Sequence, residues 1–423
     1  MLEKRTPIPV NEAVTRVMEY KMEGCTEEVL IEESFGRFLG HDLIATHDVP
    51  NFDRSPYDGF AIRAVDTKSA SIEHPVTLEV VGEIGAGSVF KDEVQACQAV
   101  RIMTGAQIPA GCNAVIMLEH VKESSINDLS YITINRKVQS GENISFKGED
   151  TNEGDVLVSK GSIINPGIVA LLATFGYKNV TVASKPRIGV LATGSELLDL
   201  DEPMVAGKIR NSNAYMVLSQ IQRVGANPVH FGQSSDDLEL AMERMLEAIK
   251  EVDFLITTGG VSVGDYDHLP AIYEKMGATV LFNKIRMRPG SVTTVAHWNG
   301  KLLFGLSGNP SACYVGFELF VRPIVRNWMG SEKPYLQRTM ATLGADFLYP
   351  NPFDRFVRGT VSFKEGSLLA IPSGTDKSNM VSSLAGANAL IVLPGGTHSF
   401  ETGMEVEVLL LDDQVGAERF DLA

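Results

Sequence analysis

The stretch Ile188-Gly189-Val190-Leu191-Ala192-Thr193-Gly194-Ser195-Glu196 decides the fold. Ile188–Ala192 is a short apolar run without a polar face, which predicts a strand buried on both sides, and Thr193-Gly194-Ser195-Glu196 predicts the turn that follows it. The same rhythm then repeats. Residues 213–224 predict a helix, Pro228–Phe231 a strand and Asp236–Lys250 a second helix. Phe254–Thr257 predicts a strand that runs into Gly259-Gly260-Val261-Ser262-Val263-Gly264-Asp265. Leu302–Gly305 leads into Leu306-Ser307-Gly308-Asn309-Pro310 and a long helix to Trp328, with Pro310 at the first helical position. Repeated strand–loop–helix units with buried strands predict a doubly wound, mainly parallel α/β domain over residues 185–331.

Outward from this segment the texture changes. Val10, Val14, Val17 and Met18 recur at helical spacing, so residues 10–22 predict an amphipathic helix with Asn11 as its cap. Over residues 51–139, short runs such as Val76–Val81, Ala114–Met117 and Tyr131–Ile134 alternate with glycine and proline turns, which predicts a β-rich domain. A polar, glycine-punctuated segment spans 141–161 and a helix is expected from Pro166 to Phe175. Residues 332–423 predict a small all-β domain with strands at Phe356–Val361, Ala389–Leu393 and Glu405–Leu411.

The net charge is −16, from 37 basic and 53 acidic residues, and no long Lys/Arg cluster breaks it, so nucleic acid is not an expected partner. No apolar run is long enough for a membrane span, and the N-terminal segment lacks the apolar stretch of a signal peptide. Cys25, Cys97, Cys112 and Cys313 are scattered without a CxxC pair, which fits a reducing cytoplasm rather than a zinc site or disulfide framework.

The three turns after Thr193, Thr258 and Leu306 leave the C-terminal ends of predicted parallel strands, the edge where open α/β sheets bind ligands. Glycine frees the backbone to point N–H groups outward, and a helix start adds its own, so these turns can cradle a phosphate. The competing reading is three tight turns with no ligand. No Walker A sequence and no GxGxxG occurs, which disfavours a P-loop kinase or a nicotinamide dehydrogenase. Glu196, Asp265 and Asp267 lie beside the glycine turns, and carboxylate plus phosphate oxygens is how Mg²⁺ is commonly held. Asp236 has two readings, a helix cap with Glu239 three residues on, or a metal ligand. Composition and spacing thus reach an anion site with carboxylates and stop short of a reaction.

Taken in order, several segments resemble the molybdopterin molybdenumtransferases, the MoeA-type enzymes related to the E domain of gephyrin. They are Ser55-Pro56-Tyr57-Asp58-Gly59-Phe60-Ala61, Thr104-Gly105-Ala106, Pro109–Val115, Gly148-Glu149-Asp150, Thr193–Leu197, Gly259–Asp265, Gly308-Asn309-Pro310, Ser382-Ser383 and Ala387–Leu390. The resemblance implies insertion of molybdenum from molybdate into adenylylated molybdopterin with release of AMP, in the last step of molybdenum cofactor synthesis, helped by Mg²⁺ or another divalent cation. It assigns Asp58, Thr104 and Asp150 to the β-rich side of a catalytic cleft and Glu196, Asp236 and Asp267 to an acidic, metal-holding group. Thr193, Gly194, Ser195, Gly259, Gly260, Ser262, Gly264, Asp265, Gly308, Asn309, Pro310 and Ser311 would hold the pterin phosphate and nucleotide. Arg288, Ser291, Arg358 and Ser378 would meet the oxyanion.

The pattern departs from the family where Arg288-Pro289-Gly290-Ser291 replaces the frequent Lys-Pro-Gly-Lys, and at Ser307 and Ala312. The resemblance further implies a cytoplasmic homodimer, with residues 1–50 and 140–184 as an elongated dimerisation domain. Its implied partners are small-molecule substrates, the molybdopterin adenylyltransferase and molybdoenzyme maturation proteins. Two alternatives stay open, a molybdopterin adenylyltransferase and a non-enzymatic dimeric scaffold of the gephyrin type.

Overall fold

The computed structural model describes residues 6–235, 237–260, 269–348, 351–364, 366–412, 416–420 and 422. The chain divides into two compact units, one of Met1–His41, Ser159–Ala173 and Tyr177–Ala423, the other of Asp42–Val158 and Thr174–Gly176.

The larger unit is built on a six-stranded sheet in the order Asn227–Ser234, Arg187–Thr193, Phe254–Thr258, Lys301–Leu306, Thr294–Trp298, Thr279–Phe282. The first four strands are parallel, and the last two are antiparallel and form one edge. Alternation along the central strands sends side chains to two cores. Ile188, Val190, Phe254, Ile256, Phe304 and Leu306 pack with the helix Ser212–Val224 and the long helix that begins at Pro310. Leu191, Leu255 and Leu303 pack with the helices Leu238–Glu251 and Leu269–Lys275 on the other face. Burial on both faces explains the continuous apolar runs of these strands. The chain passes from the 187–193 strand to its neighbour on one side, then returns to place 254–258 on the other. The strand order therefore reverses between these two, where ligands bind in such sheets.

Two helix starts bear on the caps expected from sequence. Asp237 caps the 238–251 helix, accepting from the amides of Glu239 (3.1 Å) and Leu240 (3.0 Å), while Asp236, the residue expected there, lies outside the described residues. Glu239, in the first turn of this helix, pairs with Lys275. The first helix, Val10–Met18, starts from Pro9 without a side-chain cap, so Asn11 lies within its first turn. The segment after Pro310 runs through Pro310–Gly316, a π-helical turn Phe317–Val321 and Arg322–Trp328.

The C-terminal strands close on themselves in the order Asp354–Lys364, Ser367–Pro372, Arg338–Leu343, Glu405–Leu410, Ala389–Leu393 and back to Asp354–Lys364. Met287–Arg288 joins this ring in parallel register, Met287 beside Asp354 and Arg288 beside Arg355. Thr26–Leu30 pairs with Asn179–Ala183, a pairing not anticipated from sequence.

The smaller unit contains a six-stranded sheet in the order Ala114–Met117, Gly59–Ile62, Gln98–Ile102, Val76–Ile84, Leu129–Ile134, Lys122–Ile126. Phe60 and Ile62 face one core while Ala61 faces another. Among the described residues, no helix is long and apolar enough to cross a membrane.

Candidate functional site

The three predicted turns meet at the reversal point. A Cβ on Gly259 would sit 2.4 Å from the Thr193 carbonyl oxygen, so the first and second turns are in backbone contact, and Gly259 has φ +93°. The Gly259 amide donates to the Leu306 carbonyl at 3.0 Å, and a Cβ on Gly308 would lie 3.6 Å from the Gly259 Cα, which brings in the third turn. The Thr193 hydroxyl donates to the Thr258 carbonyl at 3.3 Å. Asn213 reaches across from the first turn of its helix and donates to the Gly308 carbonyl at 2.8 Å. Gly260 follows with φ +67°. Bulkier residues would separate these backbones, so the turns form one shallow floor of glycine peptides beside the start of the 310–328 helix.

The carboxylates are placed unevenly. Glu196 is exposed and folds back over Gly194, since a Cβ there would lie 2.6 Å from its Oε2. Ser195 offers its carbonyl to the Lys208 ammonium at 2.5 Å. Asp236, Ser262, Gly264, Asp265 and Asp267 lie outside the described residues. Among the described residues no group of three or more His, Cys, Asp or Glu side chains is arranged to hold a metal ion. Glu196 is thus the described member of the acidic trio, a hard oxygen donor of the kind Mg²⁺ accepts alongside water.

Beside the third turn opens a cleft of about 490 Å³, lined among others by Arg288, Ser291, Ser307, Asn309, Ala312 and Ser378. Every position singled out as a departure from the family pattern lines this cleft. Ser307 is buried and accepts from the Asn309 amide at 3.2 Å. Ser311 turns away from the cleft floor. Its amide donates to the Ser378 carbonyl (3.0 Å) and its hydroxyl to the Met380 carbonyl (2.8 Å), so it ties the 378–380 segment to the helix start. Arg358 is only 2% exposed and sits behind the wall, paired with Asp376 at 2.5 Å. Arg358 is therefore a buried ion-pair partner and not a solvated surface residue. Arg355, Asp376 and Lys377 also line the cleft and were not anticipated. Sequence offered no local signal for them, because Asp376 is paired by Arg355 and Arg358 on the neighbouring strand 354–364.

In the smaller unit the predicted Asp58 and Thr104 come together. The Thr104 amide and hydroxyl donate to Asp58 Oδ1 at 2.7 and 2.8 Å. These two bonds, the amide first, hold the Asp58 carboxyl below its ordinary 3.8. A group depressed in the folded state stays ionised until pH falls through the lowered value, so Asp58 is an anion throughout the neutral range. Thr104→Val removes the hydroxyl and keeps the amide. The Asp58 pKa is expected to rise part of the way back towards 3.8, measured by carboxyl NMR titration. An unchanged value would show that the hydroxyl plays no part. Asp150 is exposed, and its amide donates to the Val49 carbonyl at 3.0 Å.

With this geometry established, comparison with known proteins identifies the family. Three family models match in order: "MoeA N-terminal region (domain I and II)" over residues 8–176, "Probable molybdopterin binding domain" over 189–327 and "MoeA C-terminal region (domain IV)" over 340–411. The chain is 58% identical to a molybdopterin molybdenumtransferase of Bacillus subtilis, covering 99% of this chain and 97% of that protein. It is 48% identical to one of Staphylococcus epidermidis, covering 97% of each. Among solved structures, a molybdopterin biosynthesis MoeA protein from Pyrococcus horikoshii matches with TM-score 0.82 and 32% identity, over 96% of this chain and all of that one (100%). The chain belongs to the MoeA family of molybdopterin molybdenumtransferases.

Proposed function

We propose that this chain inserts molybdenum from molybdate into adenylylated molybdopterin and releases AMP. The observation that carries the reading is the convergence of the three turns at the sheet's reversal point, beside a cleft lined by cationic side chains. A negatively charged protein needs local donors to hold a polyanion, and glycine peptides, a helix start and Arg288 supply them. Thr193, Gly194, Gly259, Gly260, Gly308, Asn309 and Pro310 bind and orient the pterin phosphate and nucleotide. Arg288, Ser291 and Ser378 take the oxyanion from the cleft side.

Glu196, with Asp236 and Asp267, would hold Mg²⁺. When bound, the cation supplies Lewis-acid polarisation of a phosphoryl oxygen. Asp58, fixed as an anion by Thr104, and Asp150 present carboxylates for orienting water or substrate. The family's organisation extends this to a cytoplasmic homodimer whose cleft combines residues 185–331 of one chain with residues 51–139 of the other. Residues 1–50 and 140–184 would form the dimerisation element and 332–423 the terminal β domain. The same resemblance adds a molybdopterin adenylyltransferase and molybdoenzyme maturation proteins as partners.

The test is molybdate-dependent AMP release from adenylylated molybdopterin. Asp58→Ala, Asp150→Ala and Asp267→Ala are each expected to fold and to lose about 10²–10³-fold in rate, the usual loss for one preorganised contact. Wild-type rates in all three would remove the site assignment. Accumulation of adenylylated product from ATP and molybdopterin without molybdate would favour the adenylyltransferase instead.

A further inference from the structure

Arg288 and Arg355 are register partners on adjoining strands, and both line the cleft beside the third turn. Asp376 is the single acidic residue among the described residues of its lining. That carboxylate is already engaged, with Arg355 at 2.7 Å and the buried Arg358 at 2.5 Å. Two guanidiniums on one carboxylate fix its fork geometry and that of Arg355. The next residue, Lys377, is exposed on the same rim, and neither it nor Arg288 has an ion-pair partner among the described residues.

The backbone under Lys377 is held from several sides. Its amide donates to the Thr375 carbonyl at 3.0 Å, and its carbonyl accepts from Arg358 and from the Met380 amide, each at 3.3 Å. Ser311 pins the following residues to the helix start. A cation on a fixed backbone, over a cleft whose one carboxylate is spent, has an anion as its natural counter-charge. In the Arg288-Pro289-Gly290-Ser291 element, Ser291 brings only a neutral hydroxyl to this cleft, so Lys377 supplies a charge that the floor lacks.

We infer that Lys377 is a direct ligand of a tetrahedral oxyanion in this cleft, opposite Arg288, and that Asp376 is a positioning residue that holds Arg355 in the wall. The oxyanion is either free molybdate or the phosphate of the pterin substrate. The inference deepens the function proposed above and rests on it.

The experiment uses the full-length protein and measures KM for molybdate and for adenylylated molybdopterin separately. Lys377→Gln is expected to raise one of them about tenfold with kcat within about twofold, and Lys377→Arg to restore most of the loss. Whichever KM moves identifies the source of the oxyanion. Asp376→Asn is expected to raise the same KM, an effect that a purely structural role would not confine to one substrate. Unchanged KM values for both substrates in Lys377→Gln overturn the inference. If the wild-type protein shows no turnover, the proposed function fails, and calorimetric binding of sodium molybdate and of inorganic phosphate still decides this point. Weaker binding of either by Lys377→Gln supports the inference, and equal binding of both overturns it.

Discussion

Glu318→Ala is expected to lower the stability of the larger unit by about 3–5 kcal/mol, the loss typical when one member of a buried ionic network is removed. Glu318 is 2% exposed and sits on the π-helical turn of the 310–328 segment. Its Oε1 accepts from Gln220 at 2.6 Å and from Arg223 at 2.5 Å, and Oε2 lies 3.5 Å from Arg322. Burial works against the Arg223 charge, yet Glu318 and the Tyr314 hydroxyl outweigh it and hold that guanidinium above its ordinary range. Alanine would remove the buried carboxylate from Arg322 and from Arg223, which would keep Asp412, at 4.0 Å, as its acidic partner. Glu318→Gln keeps the shape and one acceptor, so it is expected to lose less. The midpoint of urea unfolding measures both. A loss below about 1 kcal/mol for alanine would show that the network is not a buried charge cluster in solution.

The second large effect is expected at Gly259→Ala. The added methyl would meet the Thr193 carbonyl at 2.4 Å, and the backbone holds φ +93°, where an L side chain is strained. Both turns must separate, and the Gly259 amide must give up or lengthen its 3.0 Å bond to Leu306. A displacement approaching 1 Å at a substrate-orienting floor typically costs about 10²-fold in rate, so kcat/KM for AMP release should fall by at least that factor. Gly308→Ala is the control. Its methyl would find only the Gly259 Cα at 3.6 Å, an ordinary contact, and its stability should stay within about 1 kcal/mol of wild type. Equal losses of stability in the two variants would mean that crowding at Thr193 does not organise the floor.

The parts of the fold that were legible in sequence are those where local pattern and burial agree. Ala114–Met117 and Ala389–Leu393 are observed with the bounds that their apolar runs predict, and the central parallel strands differ only at their ends. The antiparallel edge, Thr279–Phe282 with Thr294–Trp298, left no comparable mark, because strand direction is set by pairing and not by the strand's own residues. At the candidate site the glycine turns were visible because positive φ demands glycine locally. Asp58 and Thr104 were singled out only by family likeness, their mutual contact was not foreseen, and Asp376 and Lys377 carried no signal. The significance of the last two comes from Arg355 and Arg358, about twenty residues earlier on the 354–364 strand, while they themselves lie in a loop.

The two-residue strand Met287–Arg288 leaves the α/β segment to join the terminal β ring at Asp354 and Arg355. Anyone recombining this chain with a homologue would therefore do poorly to place the crossover near Lys333, where the elements change character. A chimera joined there would inherit Arg288 from one parent and its neighbour Arg355 from the other, so the two sides of one charged rim would come from different sequences. Junctions set ahead of Lys284 would carry the whole rim as one inherited block.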